Sequence, residues 1–518
     1  MRGRRLCLPD RAVARYAVGA LVLSSGVVGC RDSADLADQR SDTIVVAYPA
    51  ATSDPWRFES AKHLIFLSMA NWDENWELEG RLARAWEHSP DHREWTYHLR
   101  TDVRWQDGVP VTAHDVEFTL RLLTHPDVLA WPLDFIERIT ALDDSTLTIR
   151  FTGDRSFFDV SEVFYPRHLL AHLDPAAIHE WEFWRRPVGN GPYRFVREVK
   201  GTSAEFEASP DYFGAKPAVE RVVLKFLSDE AGVTDLLAGA SDVASYTNPA
   251  YAPTLARNPD LRPYHWVYVG VARAIYWQHR LPPFDEPQVR RALTLALDRR
   301  ELLRALSLPE DLPLVDAMYT PRQFRSGQLP DPLPHDPDAA KKLLEESGWR
   351  DTDGNGIVDR RGEEFRFLTL VPDYPGWEEM AVVAQSHLRR VGVDMQIQLL
   401  EAPTVISRVQ AGDFEAAFAP IRHEPESIRA LFGEGSWTGY SDAEVLTLLD
   451  RAMVTANPDS IDAIYGRLIE IFRRDLPVTF LHPVVRTFMA HRRIRGLSEP
   501  FRADPVRFME DLWIEEGP

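Results

Sequence analysis

Asp351, Asp353, Asn355, Gly356 and Asp359 fall at the first, third, fifth, sixth and ninth places of a loop whose short oxygen-bearing side chains could wrap a calcium ion. The twelfth place, where a bidentate Glu should close the coordination sphere, is Gly362, and Glu363 comes one residue late. The loop therefore reads either as a weak calcium site or as a plain Asx/Gly turn ahead of a strand at Phe365-Arg366-Phe367. Val188-Gly189-Asn190-Gly191-Pro192-Tyr193 begins like a dinucleotide-binding loop, but Arg194 stands where the third glycine belongs and Pro192 blocks entry into a helix. Hydrolase signatures are missing: there is no G-x-S-x-G and no H-E-x-x-H, and His423-Glu424-Pro425 lacks a second His and carries a proline, which the interior of a helix excludes. The 16 His are scattered singly, as surface or satisfied core residues are. No catalytic constellation emerges, and the chain is expected not to be an enzyme.

The two cysteines belong to the start of the chain. Arg2, Arg4, Arg5, Arg11 and Arg15 precede an apolar run from Tyr16 to Val28, too short to cross a bilayer comfortably and built like a secretory signal. The run ends in Val27-Val28-Gly29-Cys30, which resembles the lipobox of bacterial lipoproteins, where small residues admit the signal peptidase and the Cys thiol receives a diacylglycerol. Residues 1–29 would then be the signal peptide and 30–42 a polar, flexible tether. Cys7 would leave with the signal and Cys30 would be acylated, so the exported domains would hold no thiol and no disulfide. The expected location is the periplasm or the outer face of the cell envelope, with membrane contact through the lipid alone.

The 59 Lys+Arg against 79 Asp+Glu give a net charge of −20, which makes nucleic acid an unsuitable partner. At 518 residues the chain is long enough for two or three domains, and its 44% hydrophobic and 27% charged residues are ordinary for a globular protein.

Strands and helices alternate along the rest, which points to an α/β fold. Thr43-Ile44-Val45-Val46-Ala47-Tyr48 reads as a buried strand. Thr112 followed by Asp115 resembles a capping box with Asp in place of Glu, opening a helix through Val116, Leu120 and Leu123. Val289, Ala292, Leu293, Ala296 and Leu297 share one helical face, and Asp336-Pro337 starts a further helix that stops at Gly348. Trp95, Tyr97 and Leu99 alternate inward along a strand, and Asp107-Gly108 supplies a turn with positive φ.

In order along the chain, Leu82-Ala83-Arg84-Ala85-Trp86-Glu87, Trp95 to Arg100, Trp105-Gln106-Asp107-Gly108, Val111 to Val116, the Val188 to Tyr193 segment, Asp211-Tyr212-Phe213-Gly214, Pro283-Phe284-Asp285 with Val289-Arg290-Arg291-Ala292, and Ala296-Leu297-Asp298-Arg299 resemble the motifs of extracellular solute-binding family 5. These are the peptide, oligopeptide and nickel receptors of ABC importers. The resemblance implies a bilobal periplasmic-binding-protein-like fold of type II, with an extra small domain. It places lobe 1 at 43–75, 187–268 and 483–518, the small domain at 76–186 and lobe 2 at 269–482, with hinges near Val269 and Pro483. It implies a monomer that closes on a small solute, peptide-like, sugar-like or anionic, and hands it to permease subunits. The competing class is an envelope hydrolase or a chaperone on the same scaffold.

The resemblance also directs attention to five side chains as solute contacts: Tyr246, Trp277, His279, Arg422 and Trp437. In peptide-binding members an Asp after the strand matched by Ala411 to Ala416 pairs with the ligand's amino group. Here Ile421 or Arg422 takes its place, unless Glu424 itself serves as the acid. Arg422 then either offers a planar fork to an anion or faces solvent and pairs with Glu424 or Glu426. No cofactor is expected, calcium at the acidic loop excepted.

Overall fold

The computed structural model describes residues 42–515 apart from 50–58, 73–77, 127, 129–135, 153–161, 247, 328, 424, 454, 456 and 499–504. The signal segment, Cys30 and the tether up to Ser41 lie outside the described residues, as does Glu424.

The local signals produce the elements they announce. Asp115 Oδ2 accepts from the backbone nitrogen of Thr112 at 2.8 Å and opens the helix Ala113–Leu123, whose Val116, Leu120 and Leu123 are buried. Asp336 Oδ1 caps Ala339 at 2.9 Å over the helix Pro337–Glu346, and Gly348 follows with φ +86°. Helix Pro287–Leu295 buries Val289, Ala292 and Leu293, the stripe read from the sequence; full burial of such a side chain is worth about 1.5–3 kcal/mol.

Ten strands form one mixed sheet. Its order is Asp394–Leu400, Arg366–Pro372, Ala416–Arg422, Leu261–Trp277, Val478–His491, Val243–Tyr246, Thr43–Pro49, Arg221–Leu227, Ser203–Ala208 and Tyr193–Val199. Two central strands are far longer than the rest. The crossing strand Leu261–Trp277 has 17 residues and the return strand Val478–His491 has 14. They pair antiparallel from Leu261↔His491 to Tyr276↔Val478, with the register broken between Tyr268 and Ala272 and again between Arg273 and Ala274. At the first break Gly270 takes φ +89°, a conformation that L side chains disfavour, and its carbonyl accepts from His423. The chain thus passes from one half of the sheet to the other through these two strands.

The two halves have separate cores. Ile44, Val46, Phe206 and Val222 pack with Tyr97, Trp105 and Val116 of the small domain, whose four-stranded sheet runs in the order Ala83–His88, Glu94–Leu99, Thr146–Phe151, Ile136–Asp143. In the other half, one core on each face of the sheet is built by Ala272, Ala274 and Tyr276 on one side and by Ile275, Trp277 and Leu293 on the other. The result is a two-lobed α/β fold with an additional small domain.

The Gly189-Asn190-Gly191 segment is the splice between the small domain and the main sheet. The backbone nitrogens of Asn190 and Gly191 both donate to the carbonyl of Ile65 at 2.9 Å, and Asn190 Oδ1 accepts from Leu67 at 2.9 Å. A Cβ on Gly189 would stand 1.9 Å from that carbonyl, so glycine is needed for close approach of two backbones rather than for a phosphate.

Candidate functional site at the junction of the two lobes

Strand direction defines where a ligand would sit. Thr43–Pro49 runs parallel to Arg221–Leu227 and Val243–Tyr246, and the last of these is antiparallel to the return strand. Arg366–Pro372 runs parallel to Asp394–Leu400 and Ala416–Arg422, and the last of these is antiparallel to the crossing strand. Both parallel groups therefore point their carboxyl ends at the same break in the central ladder. Crevices at the carboxyl ends of parallel strands are where open α/β sheets bind ligands.

Around the break the side chains are cationic and aromatic. On the first-lobe half of the crossing strand Tyr264, Trp266 and Tyr268 share one face, and Arg486 pairs opposite Trp266. The Arg486 guanidinium lies 5.6–5.8 Å from the ring centres of Tyr48, Trp266 and Tyr268 and donates to the Tyr48 hydroxyl at 2.5 Å. The rings of Trp266 and Tyr268 are 4.2 Å apart. Beyond the irregularity the alternation resumes out of step: Ala272, Ala274 and Tyr276 pack into the core that Val267 faces. Arg273 therefore emerges on the face that carries Trp266, Tyr268 and Arg486. Its guanidinium lies 4.5 Å from the ring centre of Trp377, the first residue of helix Trp377–Arg390. Burial pushes the Arg273 guanidinium down to about 10, against the pull of Tyr374 and Glu379.

The five residues expected to contact solute divide between the two ends of the second lobe. Arg422 is exposed at the carboxyl end of its strand, opposite Val271. Phe418 of the same strand belongs to the core of Ile275 and Trp277, so by alternation Arg422 shares the face of Arg273. Tyr246 also ends its strand at the junction, but its ring packs with Leu236, Leu255 and Met489, and burial pushes its hydroxyl up to about 12. It is a core residue.

Trp277 is a second correction. The crossing strand runs away from the junction, so seven residues past Gly270 at about 3.3 Å each carry Trp277 to the far end of the lobe. There it is fully buried, donates from Nε1 to Thr479 Oγ1 at 3.1 Å and stacks on Phe284. His279 follows it, mostly buried, with Nε2 2.9 Å from the carbonyl of Pro477 and its ring edge-on to Tyr440. Burial and then the nearby Arg290 hold its imidazole down at about 3. Trp437 sits at the same far end, where its carbonyl accepts from Gln278 Nε2 at 3.2 Å and its ring covers the lobe's core. None of these three lies at the junction.

The acidic loop spends its carboxylates on its own backbone. Asp351 accepts from Gly354 at 2.7 Å and Gly356 at 3.0 Å, and Asp359 accepts from Thr352 nitrogen at 2.9 Å and hydroxyl at 2.6 Å. Asp353 accepts from Asn355. Among the described residues no group of three or more His, Cys, Asp or Glu is arranged to hold a metal ion. Nor is any described helix long and apolar enough to cross a membrane.

Reading strand by strand missed Tyr48, Trp266, Tyr268, Arg273, Trp377 and Arg486. The signal available was the alternation Tyr264, Trp266, Tyr268, which puts more aromatic surface on one strand face than a buried core requires.

A bilobal α/β sheet with its lobes joined by two long strands, and with carboxyl ends converging on the join, defines the two-lobed class of solute receptors. The model of bacterial extracellular solute-binding proteins, family 5, matches residues 77–424, and the chain belongs to that family. The chain is 25% identical over 456 residues to the oligopeptide-binding protein AppA of Bacillus subtilis, with 81% of each chain covered. It is 25% identical over 381 residues to the nickel-binding periplasmic protein of Escherichia coli, covering 69% of this chain and 70% of the relative. Among solved structures, AppA of Bacillus subtilis with a nonapeptide superposes with TM-score 0.68 at 21% identity, covering 92% of this chain and 99% of the other. NikZ of Campylobacter jejuni with Ni(L-His) gives TM-score 0.71 at 21% identity, covering 91% and 99%.

Proposed function

We propose that this protein is the solute-binding subunit of an ABC importer, held at the outer face of a membrane by a lipid on Cys30, and that it catalyses no reaction. One observation carries the reading: parallel strands from both lobes aim their carboxyl ends at one junction that, among the described residues, two strands cross. A small solute bound there touches both lobes, and only a ligand with contacts on both can favour their closure. In this reading lobe 1 comprises 43–75, 187–268 and 483–518, the small domain 76–186 and lobe 2 269–482, with the turning points at Val269 and Pro483. Closure buries the solute, and the closed form docks on the permease. The names of the relatives, oligopeptide-binding and nickel-binding, support a small solute of peptide-like or comparable size.

The experiment is to release by denaturation whatever solute co-purifies with the protein, identify it by mass spectrometry, and return it to the refolded chain while following small-angle scattering. The radius of gyration should fall on addition, and the solute should be recovered chemically unchanged. A converted solute would favour a hydrolase on this scaffold. No retained solute and no compaction with any compound of a peptide and metal-chelate panel would count against a receptor.

A further inference from the structure

Arg273 is a mostly buried cation for which no hydrogen bond or ion pair is found among the described residues. Its guanidinium is flanked by the Trp377 ring and by the turn Tyr374 to Gly376, where a Cβ on Gly376 would come within 3.1 Å of Nη1. Glu379, the carboxylate whose charge acts on it, accepts from the Gly376 backbone nitrogen at 2.8 Å as the cap of helix Trp377–Arg390. The nearby His482 is held neutral, its imidazole pushed down to about 3 by burial and then by Arg273 itself. An arginine withdrawn from water with no carboxylate to meet it costs stability, and a protein keeps such a group where a ligand supplies the missing charge.

Its neighbours have the same character. Arg422 lies on the same sheet face two rungs nearer the first lobe, since Arg273 pairs with Pro420 and Val271 with Arg422. Across the break, Arg486 stands on that face, framed by Tyr48, Trp266 and Tyr268.

Resting on the receptor reading above, we propose that the solute carries an oxyanion, a carboxylate or phosphate, which docks on the guanidinium fork of Arg273 at the lobe junction, with the solute's body against the aromatic face of the first lobe. A planar fork takes two oxygens of such a group at once, and the aromatic rings favour a flat or apolar body over a hydrated one. Because Arg273 and Arg486 belong to different lobes, one anionic solute reaching both would also reward closure.

The test uses the full chain without its signal segment and two probes, inorganic phosphate and citrate, titrated at constant ionic strength while Trp fluorescence is followed. Trp377, in contact with Arg273, is the local reporter. Saturable binding of at least one probe is expected, weakened at least about tenfold in Arg273→Gln and unchanged in Arg467→Gln, whose exposed arginine pairs with Glu444 and Glu470; tenfold is what losing one charge-assisted contact of about 1.4 kcal/mol produces. A stronger response to phosphate than to citrate assigns a phosphate, and the reverse assigns a carboxylate. Arg273→Gln should melt no lower than the wild type when no ligand is added, because it removes an unpaired buried charge, and this separates a binding role from a structural one. Absence of saturable binding by both anions, equal binding by Arg273→Gln, or a melting point that collapses in that variant would overturn the inference. If the wild type retains a co-purifying solute that Arg273→Gln holds as tightly, the anion assignment fails while the receptor reading stands. If the wild type retains and binds nothing, both fail.

Discussion

The backbone nitrogen of His423 donates to the carbonyl of Gly270 at 2.8 Å, tying the end of one second-lobe strand to the point where the crossing strand changes register. Gly270 holds φ +89° there, and a Cβ added to it would have only the His423 Cβ near, at 4.0 Å. Gly270→Ala therefore meets no clash, and its cost is conformational, about 1–2 kcal/mol. Urea unfolding should show a loss of that size; an unchanged midpoint would mean the backbone there relaxes without penalty.

A buried ion pair holds the second lobe from inside. Arg299 Nη1 and Asp316 Oδ1 are 2.7 Å apart with both side chains at most 3% exposed, and Asp316 also accepts from the backbone of Leu333 at 2.5 Å. Asp316→Ala leaves the guanidinium uncompensated and should cost about 3–5 kcal/mol. Chemical denaturation of the variant measures it, and a loss below about 1 kcal/mol would contradict the account.

Stability should fall on acidification because His423 and His482 are buried neutral. Burial pushes both imidazoles down to about 3, His482 with help from Arg273. A base whose folded value lies below its unfolded value of about 6.5 binds fewer protons when folded, so stability is complete above that pH and declines as pH drops toward 3. Each such His contributes a slope of about 1.4 kcal/mol per pH unit in that window. Denaturation at pH 7 and pH 5 should show the decline, and His482→Gln should remove part of it. A variant whose pH dependence equals that of the wild type would refute the assignment.

The lipid anchor proposed on Cys30 is motivated by Val27, Val28 and Gly29 before it. Cys30→Ala should abolish metabolic labelling with palmitate and leave the precursor uncleaved by the lipoprotein peptidase. Equal labelling of both proteins would show that the anchor lies elsewhere or does not exist.

For the acidic loop, self-bonded carboxylates and Gly362 in the closing position predict that calcium adds little. Chelator should move the melting temperature by less than about 5 °C, the shift that roughly 1–2 kcal/mol of lost binding free energy produces. A larger drop, reversed by added calcium, would make the ion structural.

What the sequence revealed follows from how far apart the interacting groups are. Thr112 with Asp115 and Asp336 with Ala339 are three residues apart, so the caps and the helices they open could be read directly. The alternation of Trp95, Tyr97 and Leu99 likewise survives as a strand with those three buried. Trp277 was misplaced because a strand's direction within a sheet depends on its partners, and here the partner is the distant segment Val478–His491. Arg273 went unnoticed for a related reason: the register break at Gly270 moves an odd-numbered residue onto the face of even-numbered aromatics, and nothing local announces that slip. Arg422 could be singled out because it or Ile421 stands where the resemblance expects an acidic residue, a comparison that needs no geometry.

Ala272 and Pro483 are neighbours on one rung of the central ladder, so the chain leaves the first half of the sheet and re-enters it at almost the same point. Everything between them is a single insertion with adjacent ends. Recombination could exchange that block whole, leaving the rungs from Leu261↔His491 to Tyr268↔Val484 untouched. Arg273 and Arg422 would travel with the cartridge and Arg486 with the frame, so descendants could inherit half of their ligand preference from each of two parents.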